Sequence, residues 1–384
     1  MIKKCKKCNL PETNETIVFE GEACNLCNSS QDYNQKINWE ERKNRLLEIS
    51  KKNKFSTGYD CIVPFSGGKD STFQVHYVIK ELKLKPLVVR FNHGFLRPNM
   101  KENTERFLKK IGADFLDFTP NWKIVKFLME ESFKRKGDFC WHCHTGIFAY
   151  PLRIAISLNI NLVIYGEPQS YHSQYYNFDE FETENIEKFD MLRTLGISAT
   201  DMLGMINERH EDKVELRDLE PYTFPDPKEF EKKKIFPISL GNYIKWDVEK
   251  QVEIIKNLYG WKTDKLEGVP DQLNPFGSKI ECYMQGTRDY IKFLKRGYSR
   301  ISQNSAELIR KGLLKTEQAK KLTDIHEGEI PPSLDLFLDY IDMDKDEFYK
   351  ICESMQVFPH KRDKTKNYKI SEKTKDFDEW FRER

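Results

Sequence analysis

The sequence predicts an α/β fold: a parallel sheet covered by helices on both faces, with a small cysteine-paired segment at one end and a helical region at the other. Three observations support it. Strand-like and helix-like segments alternate from Tyr59 to Tyr165. A glycine-rich turn, Ser66-Gly-Gly-Lys-Asp-Ser71, joins the first of those strands to its helix. Two CxxC pairs, Cys5/Cys8 and Cys24/Cys27, stand apart from the alternation. The 384 residues divide into 1–36, 37–240 and 241–384, and with 39% hydrophobic and 13% aromatic residues the chain has material for real cores. A wholly disordered chain is excluded.

Fifteen residues separate the two cysteine pairs. This spacing fits a four-thiolate zinc site, each CxxC turn giving two ligands to one tetrahedral ion. Thr16-Ile-Val-Phe19 followed by Glu20-Gly21 reads as one arm of a small hairpin. The segment is therefore expected to be a zinc ribbon folded by its metal, and a structural one, because four thiolates leave no open coordination position.

Residues 37–54 place apolar side chains at helical spacing among charges. Strands are predicted at 59–65, 86–91, 113–118 and 161–165, and helices at 71–82, 101–111, 121–135 and 145–158. Near-continuous apolar strands separated by helices argue a parallel sheet with ligands at the carboxyl ends of its strands. The pattern weakens from about 170 to 235, where Tyr171–Tyr176 and the acidic run Asp179–Glu184 suggest an insertion. Such an insertion covers a site or forms a surface or docking excursion. From 241 onward helices are expected, with a loop at 264–277 and a charge-rich stretch from Phe358 to Arg384.

The chemistry centres on the turn after the first strand, Pro64-Phe65-Ser66-Gly67-Gly68-Lys69-Asp70-Ser71. Two glycines let the backbone approach a ligand closely, and the helix that follows aims its N–H groups and positive dipole end at an anion. Lys69 adds a positive charge, Ser66 and Ser71 add hydroxyls, and Asp70 is placed to position Mg2+ or to cap the helix. These residues describe a polyphosphate cradle. It is not a Walker A loop, since Asp70 follows the lysine and position 63 is Val.

In this setting SGGKDS resembles the pyrophosphate-loop motif of the ATP pyrophosphatase (PP-loop) superfamily. That resemblance implies an adenine nucleotide α-hydrolase-like fold of the HUP type and cleavage of ATP, with Mg2+, between its α and β phosphates. Cys140-Trp-His-Cys143-His144 within 137–146, Tyr150–Ala155, Tyr165-Gly-Glu-Pro168, Ile37-Asn-Trp39, the CxxC pairs and Arg288–Tyr298 together resemble the N-acetyl sugar amidotransferase family. What the family implies is an AMP-forming, ligase-type enzyme of lipopolysaccharide or flagellar-glycan biosynthesis. Its substrate is an N-acetylated sugar, nucleotide-linked or not, whose acetamido group becomes an acetamidino group. Lys69, Asp70 and Glu167 are then the candidate catalytic residues. The nucleotide would be held by 64–71, by Phe91, Asn92 and His93 after the second strand, and by Gly166.

Position 2 is Ile and no Gly-x-Cys-x-Gly string occurs, so no glutaminase is recognisable. The resemblance implies separate glutaminase and cyclase-like barrel subunits that supply ammonia. Cys140 and Cys143 read in three ways: unligated thiols at a helix start, half of a metal or 4Fe–4S cluster site completed by Cys282, or a direct catalytic role, with His142 and His144 as further ligands or acid–base groups. The cluster reading opens an alternative function, sulfur transfer to tRNA or another carrier. Arg288, Lys292, Lys295 and Arg296 recur at helical spacing and face either phosphates or solvent. A formal charge of +2 weighs against nucleic acid as partner. No apolar run reaches bilayer length and MIKKCKKCNL lacks an apolar core, so a cytoplasmic protein is expected.

Overall fold

The computed structural model describes residues 2–29, 37–55, 57–168 and 193–378. The chain forms two units. One comprises Asn38–Arg135 and Phe139–Lys262; the other comprises Met1–Ile37, Lys136–Asp138 and Thr263–Arg384.

In the first unit the ribbon's hairpin and helix, β1 (Phe19–Glu20), β2 (Ala23–Cys24) and α1 (Asn25–Ser29), are absent, and the chain enters through α2 (Trp39–Lys52). There follow β3 (Cys61–Pro64), α3 (Lys69–Lys80), β4 (Pro86–Phe91), α4 (Pro98–Ile111), β5 (Asp114–Phe118), α5 (Trp122–Lys136), α6 (Trp141–Leu158) and β6 (Leu162–Tyr165). The expected alternation is therefore present. The five strands lie in the order β5-β4-β3-β6-β7, and every pairing is parallel, Ile62 standing opposite both Leu87 and Val163. The chain thus builds outward from β3 to β5, returns, and builds outward on the other side. This makes the carboxyl end of β3 the topological switch point, where open α/β sheets bind ligands.

β3 and β4 are largely apolar and buried, Pro64 being partly exposed and Arg90 the one charged residue among them, as suits central parallel strands, whereas β5 is an edge strand with Asp114 and Asp117 exposed. Ile62, Val89 and Val163 pack with Leu152 and Ala155 of α6. The approach of α6 is set by Gly146, where a Cβ would lie 2.4–2.6 Å from atoms of the Phe91 ring. Gly146→Ala should therefore lower stability by about 1–3 kcal/mol, the cost of overpacking, as read by denaturant unfolding.

The fifth strand, β7 (Phe236–Ser239), is not among the sequence-predicted strands. It is four residues long and contains Pro237, which it tolerates at the sheet edge. Residues 193–235, within the supposed insertion, are the described part of the crossover from β6 to β7. They hold α7 (Ala199–Arg209), a 3-10 turn at Leu216–Tyr222 and α8 (Pro227–Lys233). Ile197, Met202, Ile206, Leu219 and Tyr222 pack against Phe127, Leu128 and Trp141. The Trp141 indole N–H is shared between the carbonyls of Thr194 and Ile197, 3.0 Å from each. This part of the segment is core, not a surface excursion; Tyr171–Tyr176 and Asp179–Glu184 lie outside the described residues. The unit closes with α9 (Val248–Tyr259), so it runs past residue 240 to Lys262.

The other unit holds the ribbon together with helices α10 (Gln285–Arg296), α11 (Arg300–Arg310), α12 (Thr316–His326), α13 (Ser333–Ile341) and α14 (Lys345–Ser354). Ala306 of α11 joins the core of Cys5, Cys8, Leu10 and Cys24. Thr13 and Arg296 exchange two hydrogen bonds, of 2.6 and 2.7 Å, and the Tyr298 hydroxyl donates to Glu15. The basic side chains of α10 work inside this unit. Arg288 pairs with Asp138 at 2.8 Å, Lys292 donates to Gln303 at 3.1 Å, and Lys295 donates to the carbonyls of Lys136 and Gly137 at 2.8 and 3.1 Å. All are partly buried, and each ties a neighbouring segment of the unit to α10.

Candidate functional site

The cradle begins where β3 ends. Gly67 adopts φ +87° and Gly68 caps α3 in an extended conformation, so the chain reverses sharply into the helix. The hydroxyls of Ser66 and Ser71 lie 3.1 Å apart, the Ser66 N–H donates to Ser71 Oγ at 3.1 Å, and the Gly68 N–H donates to Ser66 Oγ at 3.2 Å. Ser71 and Thr72 hydroxyls in turn donate to the Gly68 carbonyl, at 3.2 and 2.8 Å. The loop is therefore closed by its own side chains before any ligand arrives. Lys69 is not the mobile charge its sequence position suggests: it is buried, and its ammonium is paired with Asp70, which is thus engaged with its neighbour rather than capping the helix. The first turn of α3 presents the N–H groups and dipole end that favour an anion.

Two other strand ends flank β3 in the sheet. Phe91 closes β4, its ring tilted against Phe118 and Tyr150 and edge-on to Tyr222. Asn92 Oδ1 accepts from the Gly94 N–H at 3.0 Å, and His93 Nδ1 accepts from the Phe95 N–H at 3.2 Å. Burial, reinforced by His142 and Arg90, holds the His93 imidazolium down at about 3, so the ring is neutral, its Nδ1 an acceptor and its proton on Nε2. The folded value lies below the unfolded 6.5, so this histidine's contribution to stability is intact above about pH 6.5 and is lost as pH falls. The wild-type melting temperature should drop from about pH 7 to about pH 5, and His93→Gln should flatten that drop.

At the end of β6, Gly166 abuts α3: a Cβ there would sit 2.8 Å from Gln74 Oε1, while Gln74 Nε2 donates to the Ile164 carbonyl. Glu167 follows, half-buried. The strands place Ser66–Ser71, Phe91–His93 and Gly166–Glu167 at carboxyl ends on the same side of one sheet.

α6 starts at Trp141 rather than at 145, so Cys140 is its N-cap and Cys143 lies in its first turn. His142 Nε2 is 3.4 Å from the His93 carbonyl oxygen, which sets this turn beside the end of β4. Cys282 belongs to the other unit. Among the described residues, the group of metal-ligating side chains that comes together is the N-terminal tetrad, and none of the nine cysteines forms a disulfide.

In that tetrad all four sulfurs lie within 4.8 Å of one another, with Cys5–Cys27 at 3.9 Å and Cys8–Cys24 at 3.7 Å. A tetrahedron with metal–sulfur bonds of about 2.3 Å has edges of about 3.8 Å. The Cys24 N–H donates to Cys5 Sγ at 3.3 Å, the kind of outer contact that steadies a thiolate ligand. Burial and the neighbouring sulfurs push the Cys8 thiol up to about 11, and Cys27 further. Such a crowd of sulfurs ionises fully only around a cation, and the residues fit a tetrahedral metal.

Tyr259, Trp261 and Asn103 buttress the cradle without having been recognisable in the sequence. Their partners lie far along the chain, the Trp261–Gly67 bond spanning 194 positions.

Among the described residues no helix is long and apolar enough to cross a membrane. The chain is similar to a protein of Methanocaldococcus jannaschii described as uncharacterized protein MJ1599, with 25% identity over 334 residues that make up 86% of this chain and 96% of that protein. Residues 276–379 match the family model described as LPS biosynthesis protein WbpG-like, C-terminal domain, which fits a family of glycan biosynthesis.

Proposed function

We propose that the protein is an ATP-dependent amidotransferase that converts the acetamido group of an N-acetylated sugar into an acetamidino group, for bacterial surface polysaccharide or flagellar glycan. The observation that supports this most is the self-closed SGGKDS loop at the switch point of a β5-β4-β3-β6-β7 parallel sheet. The match of residues 276–379 to a lipopolysaccharide-biosynthesis model supports the sugar over a sulfur-accepting RNA.

The chemistry suits such a loop. An amide oxygen is a poor leaving group; attack of that oxygen on the α phosphorus of ATP expels pyrophosphate and leaves an O-adenylyl imidate. Ammonia adds to the activated carbon, and AMP departs with the former amide oxygen. The first turn of α3 and Lys69 would stabilise the phosphate charge, with Asp70 and Glu167 placed for Mg2+ and proton handling. His93, a neutral Nε2–H donor at the end of β4, suits a nucleotide acceptor. Ammonia would come from separate glutaminase and barrel subunits. The tetrad would hold structural zinc.

The test is AMP release from ATP and Mg2+ with ammonium and a panel of acetamido sugars, sulfide being offered in parallel. AMP release that requires both sugar and ammonium is expected. Release driven by sulfide, or none with any sugar, would overturn the reading.

A further inference from the structure

We propose that Trp261 is a positioning residue for the cradle: its indole N–H anchors the Gly67 carbonyl and so fixes the Gly67–Gly68 peptide in the orientation that starts α3. The anchor itself is a matter of geometry; that the loop it holds binds ATP rests on the function proposed above.

Trp261 is buried, and its Nε1 donates to Gly67 O at 3.1 Å. A peptide unit is planar and trans, so a carbonyl held on one side directs the next N–H to the other. That N–H belongs to Gly68 and donates to Ser66 Oγ, the bond that closes the loop. Gly67 has a second wall. A Cβ there would meet Thr104 Oγ1 at 2.7 Å and the Met100 carbonyl at 3.3 Å, so α4 presses directly on the glycine. Thr104 is itself held, its hydroxyl donating to Met100 O at 2.7 Å and accepting from Arg90 Nη1 at 3.2 Å.

The segment bearing Trp261 is bolted to both helices that flank the loop. Tyr259 Oη and His76 Nδ1 on α3 are 2.6 Å apart. Asn103 on α4 grips Lys262 twice, donating to its carbonyl at 2.7 Å and accepting from its N–H at 2.9 Å. Arg106 on α4 donates to the Gly260 carbonyl at 2.9 Å. A tryptophan that merely filled space would need none of these ties. Together they preorganise the loop, so that ligand binding does not have to bear the ordering cost.

The experiment compares wild type, Trp261→Phe and Trp141→Phe by amide hydrogen exchange over residues 66–71, with MgATP affinity, kcat and KM measured on the same samples. Trp141 is a matched control: equally buried in the same unit, it also loses indole hydrogen bonds, to Thr194 and Ile197. Trp261→Phe should speed exchange at the loop amides about ten-fold and weaken MgATP about ten-fold, chiefly in KM. Trp141→Phe should lower the melting temperature and leave loop exchange unchanged. Unchanged loop exchange in Trp261→Phe, or the same acceleration in both variants, would overturn the proposal. If wild type binds no MgATP while Trp261→Phe still loosens the loop selectively, the anchor stands and the ATP reading falls. Should Trp261→Phe fail to fold, Thr104→Val tests the other wall, with a smaller but equally local acceleration expected.

Discussion

Lys69→Met is expected to lower AMP formation by about a thousand-fold or more, the scale of removing a preorganised charge from a phosphoryl transition state. The structure adds a complication that the sequence does not announce. Lys69 and Asp70 form a pair with side chains only 7% and 23% exposed, so removing either one takes the opposite charge from beside a poorly solvated partner. Each single variant, Lys69→Met or Asp70→Asn, should lose about 1–3 kcal/mol of stability. The double variant removes both charges and should recover much of that loss without recovering activity. Stability by denaturant unfolding and AMP formation by nucleotide chromatography would separate the two effects. Activity that returns with stability would reduce the pair to a structural element.

Cys24→Ser is the second large effect. Cys24 is fully buried within the tetrad and its neighbours approach it at metal-ligand spacing, so its loss would leave three of the four thiolates that a tetrahedral ion needs. Zinc should fall from about one equivalent to below about a tenth, and the melting temperature should drop by several degrees or more, because site occupancy and folding are linked. A strong chelator should do the same to wild type. Cys352→Ser, at another buried cysteine of the same unit, should leave the zinc content unchanged. Retention of zinc by Cys24→Ser would remove the metal assignment.

Much of the fold was legible because its signals are local. The apolar strands Cys61–Pro64 and Pro86–Phe91, the glycine turn between strand and helix, and the spacing of the CxxC pairs each depend on neighbours in sequence. What escaped depends on distant partners or on weak local chemistry. β7 is as short as β3 and β6 but carries Pro237 in its interior, a residue that argues against a strand. α6 was predicted four residues too late because Trp141, His142 and Cys143 are indifferent helix formers and Cys140 makes no side-chain cap bond. α4 begins at Pro98, three residues before the predicted start at 101, because proline suits the first helical turn. The inward role of Arg288, Lys292 and Lys295 was hidden because a long amphipathic side chain looks the same in sequence whether its head meets water or a carbonyl. In the candidate site, the motif was visible but the Lys69–Asp70 pairing and the neutral His93 were not, since both arise from burial.

The pairing of Thr13 with Arg296 links residues 283 positions apart, and the unit they share is interrupted by nearly the whole sheet. On the ribosome, the cysteine knuckles emerge before the sheet unit, and their docking surface around Arg296, Tyr298 and Ala306 emerges only after that unit has been made. Closing so long a loop is slow, and a chain waiting for its partner exposes apolar surface meanwhile. A metal on the tetrad would nevertheless organise the knuckles locally, since the four cysteines span only residues 5 to 27. Metal loading would then precede docking during synthesis, and zinc-starved cells would be expected to accumulate chains whose sheet has folded but whose last helices have not found their place.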